Sequence, residues 1–188
     1  MPLKLHTVIC STRPTRIGPV VASWFHDIAA AHGKFDAVLV DLKDFELPVF
    51  DEPEHPRMQR YVHEHTKRWA ASVDAADAFV FVTPEYNFGP PPSLLNALNY
   101  LYLEWNYKPA GFVSYGGASG GMRSVQVEKL TLTTLKVVPL TEAVAIPMAW
   151  NAVADGRLNV PEGQVKAATG MLDELARWAE ALKPLRAK

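Results

Sequence analysis

The stretch AFVFVTPEYNFGPPPSLLNALNYL, Ala78 to Leu101, decides how this chain folds. Its first part, Ala78–Thr83, is an apolar run rich in valine and phenylalanine, which is typical of a strand buried on both faces of a sheet. Residues 84–87 then present a proline, a carboxylate, a phenol and an amide. Three prolines at 90–92 end a strand and can begin a helix. The stretch therefore predicts a buried strand, a stiff loop and a helix.

Short β-rich runs alternate with helical patterns along the rest of the chain. Four further strands are predicted: Leu3–Ser11, Asp36–Leu42, Ala110–Gly116 and Val137–Ile146. Apolar residues at helical spacing predict helices within Val20–Ile28, Leu94–Trp105 and Val165–Leu182, with a weaker pattern over Tyr61–Asp74. Such alternation predicts a parallel sheet with right-handed crossovers and helices on both faces. Five strands favour the doubly wound, flavodoxin-like α/β fold with strand order 2-1-3-4-5, and residues 1–188 are expected to form a single domain.

Composition excludes several classes of protein. The 188 residues are 48% hydrophobic with a net charge of −1, so neither disorder nor a general affinity for nucleic acid is indicated. No apolar run reaches the roughly 20 residues that a spanning helix needs. One cysteine, Cys10, fits a reducing compartment, and the N-terminus does not resemble a signal peptide. These features predict a cytoplasmic protein without a membrane partner.

The loop after the first strand has the chemistry of an anion site. ICSTRPTRIGPVVASWF, Ile9 to Phe25, offers the hydroxyls of Ser11 and Thr12 with the guanidinium groups of Arg13 and Arg16. Gly18–Pro19 opens a helix, whose first N–H groups are unpaired and attract phosphate. A solvated loop whose hydroxyls cap the helix explains this segment equally well. Neither GxxxxGK[ST] nor GxGxxG is present.

The loop after the fourth strand is glycine-rich. SYGGASGGMR, Ser114 to Arg123, lets a ligand lie against the backbone. It also contains GxSxG, the nucleophile elbow of α/β-hydrolases, with Ser119 as the serine. The hydrolase order requires a histidine after that serine, and all six histidines lie between His6 and His65. Serine hydrolysis is therefore disfavoured.

These three loops resemble those of the NAD(P)H-dependent FMN reductase family, which has the flavodoxin-like fold and includes quinone, azo-compound and chromate reductases. STRPTRIGPVVASW resembles the family's phosphate-binding loop, and SYGGASGGMR its glycine-rich flavin loop. TPEYNFGPPPSLLNALNYL resembles its most specific signature. Two departures stand out: Cys10 replaces a common glycine, and Asn99 replaces a frequent acid.

The resemblance implies an FMN-binding domain that takes hydride from NADPH or NADH and passes electrons to a small-molecule acceptor. The FMN phosphate would be held by Ser11, Arg13, Arg16, Ile17, Gly18, Pro19 and Val20. The isoalloxazine ring would be lined by Pro84, Glu85, Tyr86 and Asn87, and its other edge by Ser114, Tyr115, Gly116 and Gly117. No catalytic side chain and no metal ligand is nominated. A homodimer or homotetramer is also implied.

Other interpretations stay open at this stage. The protein could be a flavodoxin-like electron carrier or a flavin-binding regulatory protein without NAD(P)H turnover, although carriers are typically more acidic. His63 and His65 would diverge on a helix, which disfavours a metal pair, and the acidic residues within 51–54 fit a solvated turn or the edge of a substrate pocket. The aromatic run Tyr100–Tyr107 could form a subunit interface or belong to the core.

Overall fold

The computed structural model describes residues 2–186. The strands are β1 (Leu3–Ile9), β2 (Phe35–Asp41), β3 (Ala78–Pro84), β4 (Pro109–Tyr115), β5 (Val138–Ile146), β6 (Val153–Ala154) and β7 (Arg157–Leu158). The α-helices are α1 (Gly18–Ala31), α2 (Glu64–Ala75), α3 (Pro92–Asn99), α4 (Met122–Thr134), α5 (Ala149–Ala152) and α6 (Glu162–Leu182). Short 3-10 turns occupy Leu42–Phe45, Pro56–Met58, Leu103–Trp105 and Lys183–Arg186.

The first five strands form one parallel sheet in the order β2-β1-β3-β4-β5, which confirms the predicted topology. Neighbouring strands end almost level: Ile9 of β1 lies opposite Val82 of β3, and Pro84 opposite Tyr115 of β4. The loops that follow these three strands therefore emerge side by side at one edge of the sheet. Ligands of open parallel sheets bind at this carboxyl edge.

Both faces of the sheet are covered, as the continuous apolar strands predict. Along β3, Val80 and Val82 face the layer formed by α1 and α6, while Phe79 and Phe81 face the layer formed by α2, α3 and α4. On the face covered by α1 and α6, a glycine in the sheet lets a helix pack close to the strands. At Gly111 of β4, an added Cβ would lie 2.6 Å from Met171 Sδ of α6. Because close-packed helices cover both faces, the sheet is a firm support for the loops at its carboxyl edge.

The helix predicted within Leu94–Trp105 is shorter than expected, because α3 ends at Asn99. The chain then turns, and Trp105 returns to the core within 5.0 Å of the Phe79 ring. The Glu104 carboxylate helps to fix this turn by accepting hydrogen bonds from Tyr61 Oη and the Tyr102 N–H. Because Tyr100, Leu101 and Trp105 are fully buried in the monomer, this half of the aromatic run Tyr100–Tyr107 belongs to the core, together with the buried Glu104.

The segment between β5 and α6 contains elements that the patterns above do not predict. It forms the short helix α5 and a two-stranded hairpin, β6–β7. The turn of the hairpin is Asp155-Gly156, with positive φ at both residues. Asp-Gly is the sequence signal of such a turn, but the flanking strands are only two residues long. Within residues 2–186, none of the helices has the length and apolar composition to cross a membrane.

Candidate functional site

The loops after β1, β3 and β4 enclose a cleft of about 310 Å³. Its predicted wall residues are Arg13, Arg16, Ile17, Pro84, Glu85, Tyr86, Tyr115, Gly116 and Gly117, and the structure adds Thr15, Ala149 and Trp150. A second cleft of about 540 Å³ adjoins it and includes Asn87 together with Pro90 and Pro92. Arg13, Glu85 and Tyr86 line both. The two clefts together form one open trough, and the predicted loops after β1, β3 and β4 meet around it.

The two arginines of the first loop have different roles. Arg16 is largely buried, and its guanidinium donates to the Asp41 carboxylate at the end of β2 and to the Ser11 carbonyl. Arg16 therefore braces the loop, and its charge is already balanced. Arg13 is exposed, makes no ion pair within the described residues, and lies over the Tyr86 ring with Cζ 5.8 Å from the centroid. Arg13 is thus the arginine whose charge is available to an anion.

The start of α1 supplies backbone donors beside Arg13. The first helical hydrogen bonds are donated by Val20 and Val21 to the Ile17 carbonyl, and Pro19 has no N–H to donate. The N–H groups of Ile17 and Gly18 come before these first donors and make no helical hydrogen bond. Unpaired N–H groups at a helix start carry partial positive charge.

Ser11 lies behind the cleft wall, where Tyr115 Oη donates a 3.1 Å hydrogen bond to its Oγ. Both side chains are buried, and burial raises the pKa of Tyr115 well above its ordinary value. Gly18 closes this junction: an added Cβ would lie 2.7 Å from Tyr115 Oη and closer still to Ser11 Oγ. Ser11 and Gly18 therefore shape the anion loop from behind, and Ser11 has no surface exposed to the cleft.

The loop after β3 contains a tight turn closed on itself. Tyr86 N–H donates to the Gly89 carbonyl at 2.9 Å, and Gly89 N–H donates back to Tyr86 at 3.0 Å. The two central residues, Asn87 and Phe88, both have positive φ, 50° and 68°. Asparagine tolerates this conformation, whereas phenylalanine adopts it rarely. The Phe88 side chain is exposed and stacks under the Arg123 guanidinium at 4.1 Å from the ring centroid.

Glu85 connects the second loop to the third. Its carboxylate accepts hydrogen bonds from Ser119 Oγ at 2.7 Å, from the Arg123 N–H at 3.2 Å and from Arg123 Nη1 at 2.9 Å. Burial raises the pKa of Glu85, but these donors outweigh it and hold the pKa below its ordinary value. The Glu85 carboxylate is thus a brace between loops. Within residues 2–186, Ser119 Oγ hydrogen-bonds to Glu85 and to the Gly121 N–H and to no histidine, so it lacks the base that a hydrolase requires.

The glycine-rich loop depends on positive φ at Gly120 and Gly121. A Cβ at Gly121 would lie 2.7 Å from the Tyr115 nitrogen. Ser114 is fully buried, and its Oγ donates to the Gly120 carbonyl at 2.8 Å, so Ser114 shapes the loop without lining the cleft. The carbonyls of the neighbouring residues 116 and 117 accept from the N–H groups of Ala149 and Met148.

Trp150 is a cleft residue that the motifs did not indicate. It lies on α5, which is tied to the glycine-rich loop, and its ring would be 3.8 Å from a Cβ on Gly117. The side chain is 54% exposed at the mouth of the cleft. The sequence indicates its role only by position, because Trp150 follows the end of β5 by four residues and therefore lies at the carboxyl edge of the sheet.

The prediction that His63 and His65 diverge is wrong. α2 begins at Glu64, so His63 lies before the helix and its ring stacks on His65 with centroids 5.1 Å apart and planes at 10°. Both Nε2 atoms face the Asp51 carboxylate, at 3.8 Å for His63 and 3.0 Å for His65. Nearly parallel rings do not aim their lone pairs at a single point. No group of histidine, cysteine and acidic residues in the described part of the chain could hold a metal ion.

The family is decided by comparison with known proteins. The sequence profile described as NADPH-dependent FMN reductase matches residues 3–151. The chain belongs to this family. A curated member, the NAD(P)H-dependent FMN reductase of Schizosaccharomyces pombe, is 37% identical over 188 residues, covering 96% of this chain and 94% of the relative. This family member is accordingly an oxidoreductase, and FMN with NAD(P)H is the cofactor pair of its family.

Two further proteins extend the comparison. The NADPH:quinone oxidoreductase of Arabidopsis thaliana is 44% identical over 52 residues, 26% of each chain. The structure of FerB, a flavoenzyme NAD(P)H:(acceptor) oxidoreductase from Paracoccus denitrificans, superposes with a TM-score of 0.74 at 22% identity, covering 95% of this chain and 98% of FerB. This superposition confirms the flavodoxin-like fold.

Proposed function

We propose that this chain is an FMN-containing reductase that passes electrons from NADPH or NADH to a quinone, flavin or similar small acceptor by a ping-pong mechanism. The supporting observation is the convergence of Arg13, the free start of α1 and the glycine-rich loop around one cleft. We further propose that residues 1–188 form a single FMN-binding domain in a cytoplasmic homodimer or homotetramer.

The residues present fit FMN. Arg13 and the N–H groups of Ile17 and Gly18 match a phosphate, because an unpaired guanidinium and a helix start both favour an anion. Residues 84–87 and the glycines at 116 and 117 border the trough, and the glycines present no side chain to a flat ring that lies against them. When bound, FMN supplies reversible two-electron chemistry that accepts hydride from a nicotinamide and reduces a second substrate.

The chain's own contribution is binding and electrostatics. Arg16 holds the anion loop through Asp41, so that Arg13 keeps its charge for the ligand. The Glu85 carboxylate adds little field that would oppose negative charge on a bound ring, since Arg123 pairs with it. The trough is open to solvent, so a bound ring would be accessible to two substrates in turn, as a ping-pong order requires.

The proposal is tested on the purified protein. We expect a yellow protein that releases FMN and oxidises NADPH or NADH faster when a quinone is added, with parallel lines in double-reciprocal plots. A colourless protein that does not bind added FMN would disprove the assignment. Bound FMN without nucleotide oxidation would indicate the electron-carrier or regulatory alternative. The molar mass in solution tests the oligomer, which a monomer would exclude.

Arg13→Ala tests the phosphate site. We expect FMN affinity to fall about ten- to a hundredfold, since a charge-assisted hydrogen bond contributes roughly 1.5–3 kcal/mol. Riboflavin, which lacks the phosphate, should lose much less. Arg60→Ala is the matched control, because Arg60 is an exposed loop arginine outside the trough with only a 3.9 Å ion pair. Equal losses for FMN and riboflavin would contradict the assignment.

A further inference from the structure

A separate cavity of about 560 Å³ lies next to the trough and has no role in the FMN assignment. It is bounded by the loop after β1, the segment after β2 and the exposed side of α3. Most of its wall is apolar, with Leu42, Leu47, Val49 and Leu95 as the aliphatic side chains. Its volume is within the range of small-molecule sites.

The outer wall of this cavity is held in place by Asn96 of α3. Asn96 Nδ2 donates to the Pro48 carbonyl at 2.6 Å, and the Phe50 N–H donates to Asn96 Oδ1 at 2.9 Å. Val49 lies between these two anchors and is 88% exposed. The backbone thus presents an aliphatic side chain to solvent at a fixed position, which favours an apolar ligand that covers it.

The cavity borders the trough. Pro92 lines both this cavity and the cleft that contains Tyr86 and Asn87. Thr12, in the wall of the cavity, is the neighbour in sequence of Arg13, in the wall of the trough. A ligand whose reactive ring occupies the trough can therefore extend a substituent into the cavity.

The chemistry of the wall favours an aliphatic substituent over a nucleotide. No aromatic side chain lines the cavity, so an adenine ring would have no stacking partner. Lys43 and Glu46 both border it, and their opposite charges leave no net attraction for a phosphate. Asn99 adds only a neutral amide.

We propose that this cavity binds the aliphatic chain of an alkyl-substituted quinone whose ring is reduced in the trough. The inference rests on the proposed function and names its acceptor class. The ring takes up two electrons and two protons, as a hydride equivalent from NAD(P)H and a proton from water, to give the hydroquinone and NAD(P)⁺. The chain forms and breaks no bond.

A homologous series of benzoquinones with chains of zero to ten carbons tests the proposal. We expect kcat/KM to rise with chain length, by up to about fourfold for each methylene that becomes buried, and then to level off. The same dependence is expected when non-reducible dimethoxybenzenes with these chains bind in calorimetry without NAD(P)H. Val49→Asp should bring the ratio between the decyl and the unsubstituted quinone close to one. Val62→Asp should keep the ratio, because Val62 is an exposed valine of the same long loop and lies outside the cavity.

Three outcomes would overturn the proposal. The first is a wild-type kcat/KM that does not depend on chain length. The second is a Val49→Asp variant whose main defect is a raised KM for NADPH, which would place the nucleotide in the cavity. The third is a changed molar mass of that variant, which would make the cavity an interface between copies. Failure to reduce the unsubstituted quinone, by contrast, would reject the proposed function itself.

Discussion

At the scale of single residues, Ser11, Gly18 and Tyr115 share one crowded junction behind the anion loop. Gly18→Ala places a methyl group against both hydroxyls, one of them 2.7 Å away, and neither side chain has room to retreat. We expect a loss of roughly 1–3 kcal/mol in the free energy of unfolding, together with weaker FMN binding, since the start of α1 must shift. Urea denaturation and FMN titration measure the two effects.

Gly170→Ala provides the matched control for that substitution. Gly170 lies inside α6 with nothing within 4 Å of an added Cβ, so alanine should stabilise the protein by roughly 0.5–1 kcal/mol and leave FMN binding unchanged. If both variants behaved alike, the junction behind the anion loop would not be the cause.

Glu128 is a buried acid beneath the same edge of the sheet. Thr83 Oγ1 donates to its Oε1 at 2.6 Å and Ser124 Oγ at 3.0 Å, while Oε2 has no partner within residues 2–186. Burial raises the pKa of Glu128 to about 8, although the two hydroxyls oppose this. Between about pH 4.5 and 8 the folded chain therefore keeps a proton that the unfolded chain has lost, and stability falls as the pH rises through this window.

Glu128→Gln removes this titration while keeping the shape of the side chain. We expect the variant to gain stability over the wild type as the pH rises from 5 to 8, by at most about 1.4 kcal/mol per pH unit. Chemical denaturation at several pH values gives the comparison. A stability difference that is the same at pH 5 and pH 8 would show that Glu128 is ionised in both states.

At the scale of elements, the β3–α3 loop and the β4–α4 loop depend on one another through Glu85. Arg123→Ala removes both the ion pair with Glu85 and the contact with the Phe88 ring, so we expect faster hydrogen exchange at residues 85–89 and 116–122. FMN affinity should fall several-fold. Lys129→Ala is the control on the same helix α4, because Lys129 makes no ion pair among the described residues. It should change neither the hydrogen exchange of the two loops nor the FMN affinity. Unchanged exchange in the Arg123 variant would mean that the turn at Tyr86–Gly89 is rigid by itself.

The brace also predicts a pH dependence. The pKa of Glu85 is held below its ordinary value, so its contribution is complete above that value and is lost as the pH falls through the folded-state pKa. We expect FMN release on acidification to begin at a higher pH in the Arg123→Ala variant than in the wild type. Flavin fluorescence, which rises on release, follows this directly, and identical release curves would argue against the brace.

The elements also show what the sequence could and could not predict. The three central strands β1, β3 and β4 were readable because they are buried on both faces and therefore almost continuously apolar. The end of α3 could not be predicted, because Trp105 continues the helical spacing of apolar residues beyond the true end of the helix. Its indole instead packs against the Phe79 ring after a turn, and a hydrogen bond between Glu104 and the distant Tyr61 stabilises that turn. The pairing of Arg16 with Asp41 was equally hidden, because 25 residues separate them in the chain. A sequence motif can therefore identify an anion-binding loop, but only the tertiary contacts show that Arg16 is paired and that Arg13 is the arginine left for a ligand.

At the scale of the whole molecule, the three loops emerge from neighbouring strands of one sheet, so a ligand that binds all three in the folded state should stabilise the entire fold. FMN at a hundred times its Kd should add about 2.7 kcal/mol to the free energy of unfolding, which for a chain of this size raises Tm by roughly 5–10 °C. Riboflavin at the same concentration should raise it less, because the interaction with Arg13 is missing. In Arg13→Ala the difference between the two ligands should shrink, leaving only the contribution of the N–H groups at the start of α1, and calorimetry measures both shifts. An FMN shift that survives this substitution in full would place the phosphate away from Arg13, while the absence of any shift in the wild type would mean that the three loops do not bind flavin together.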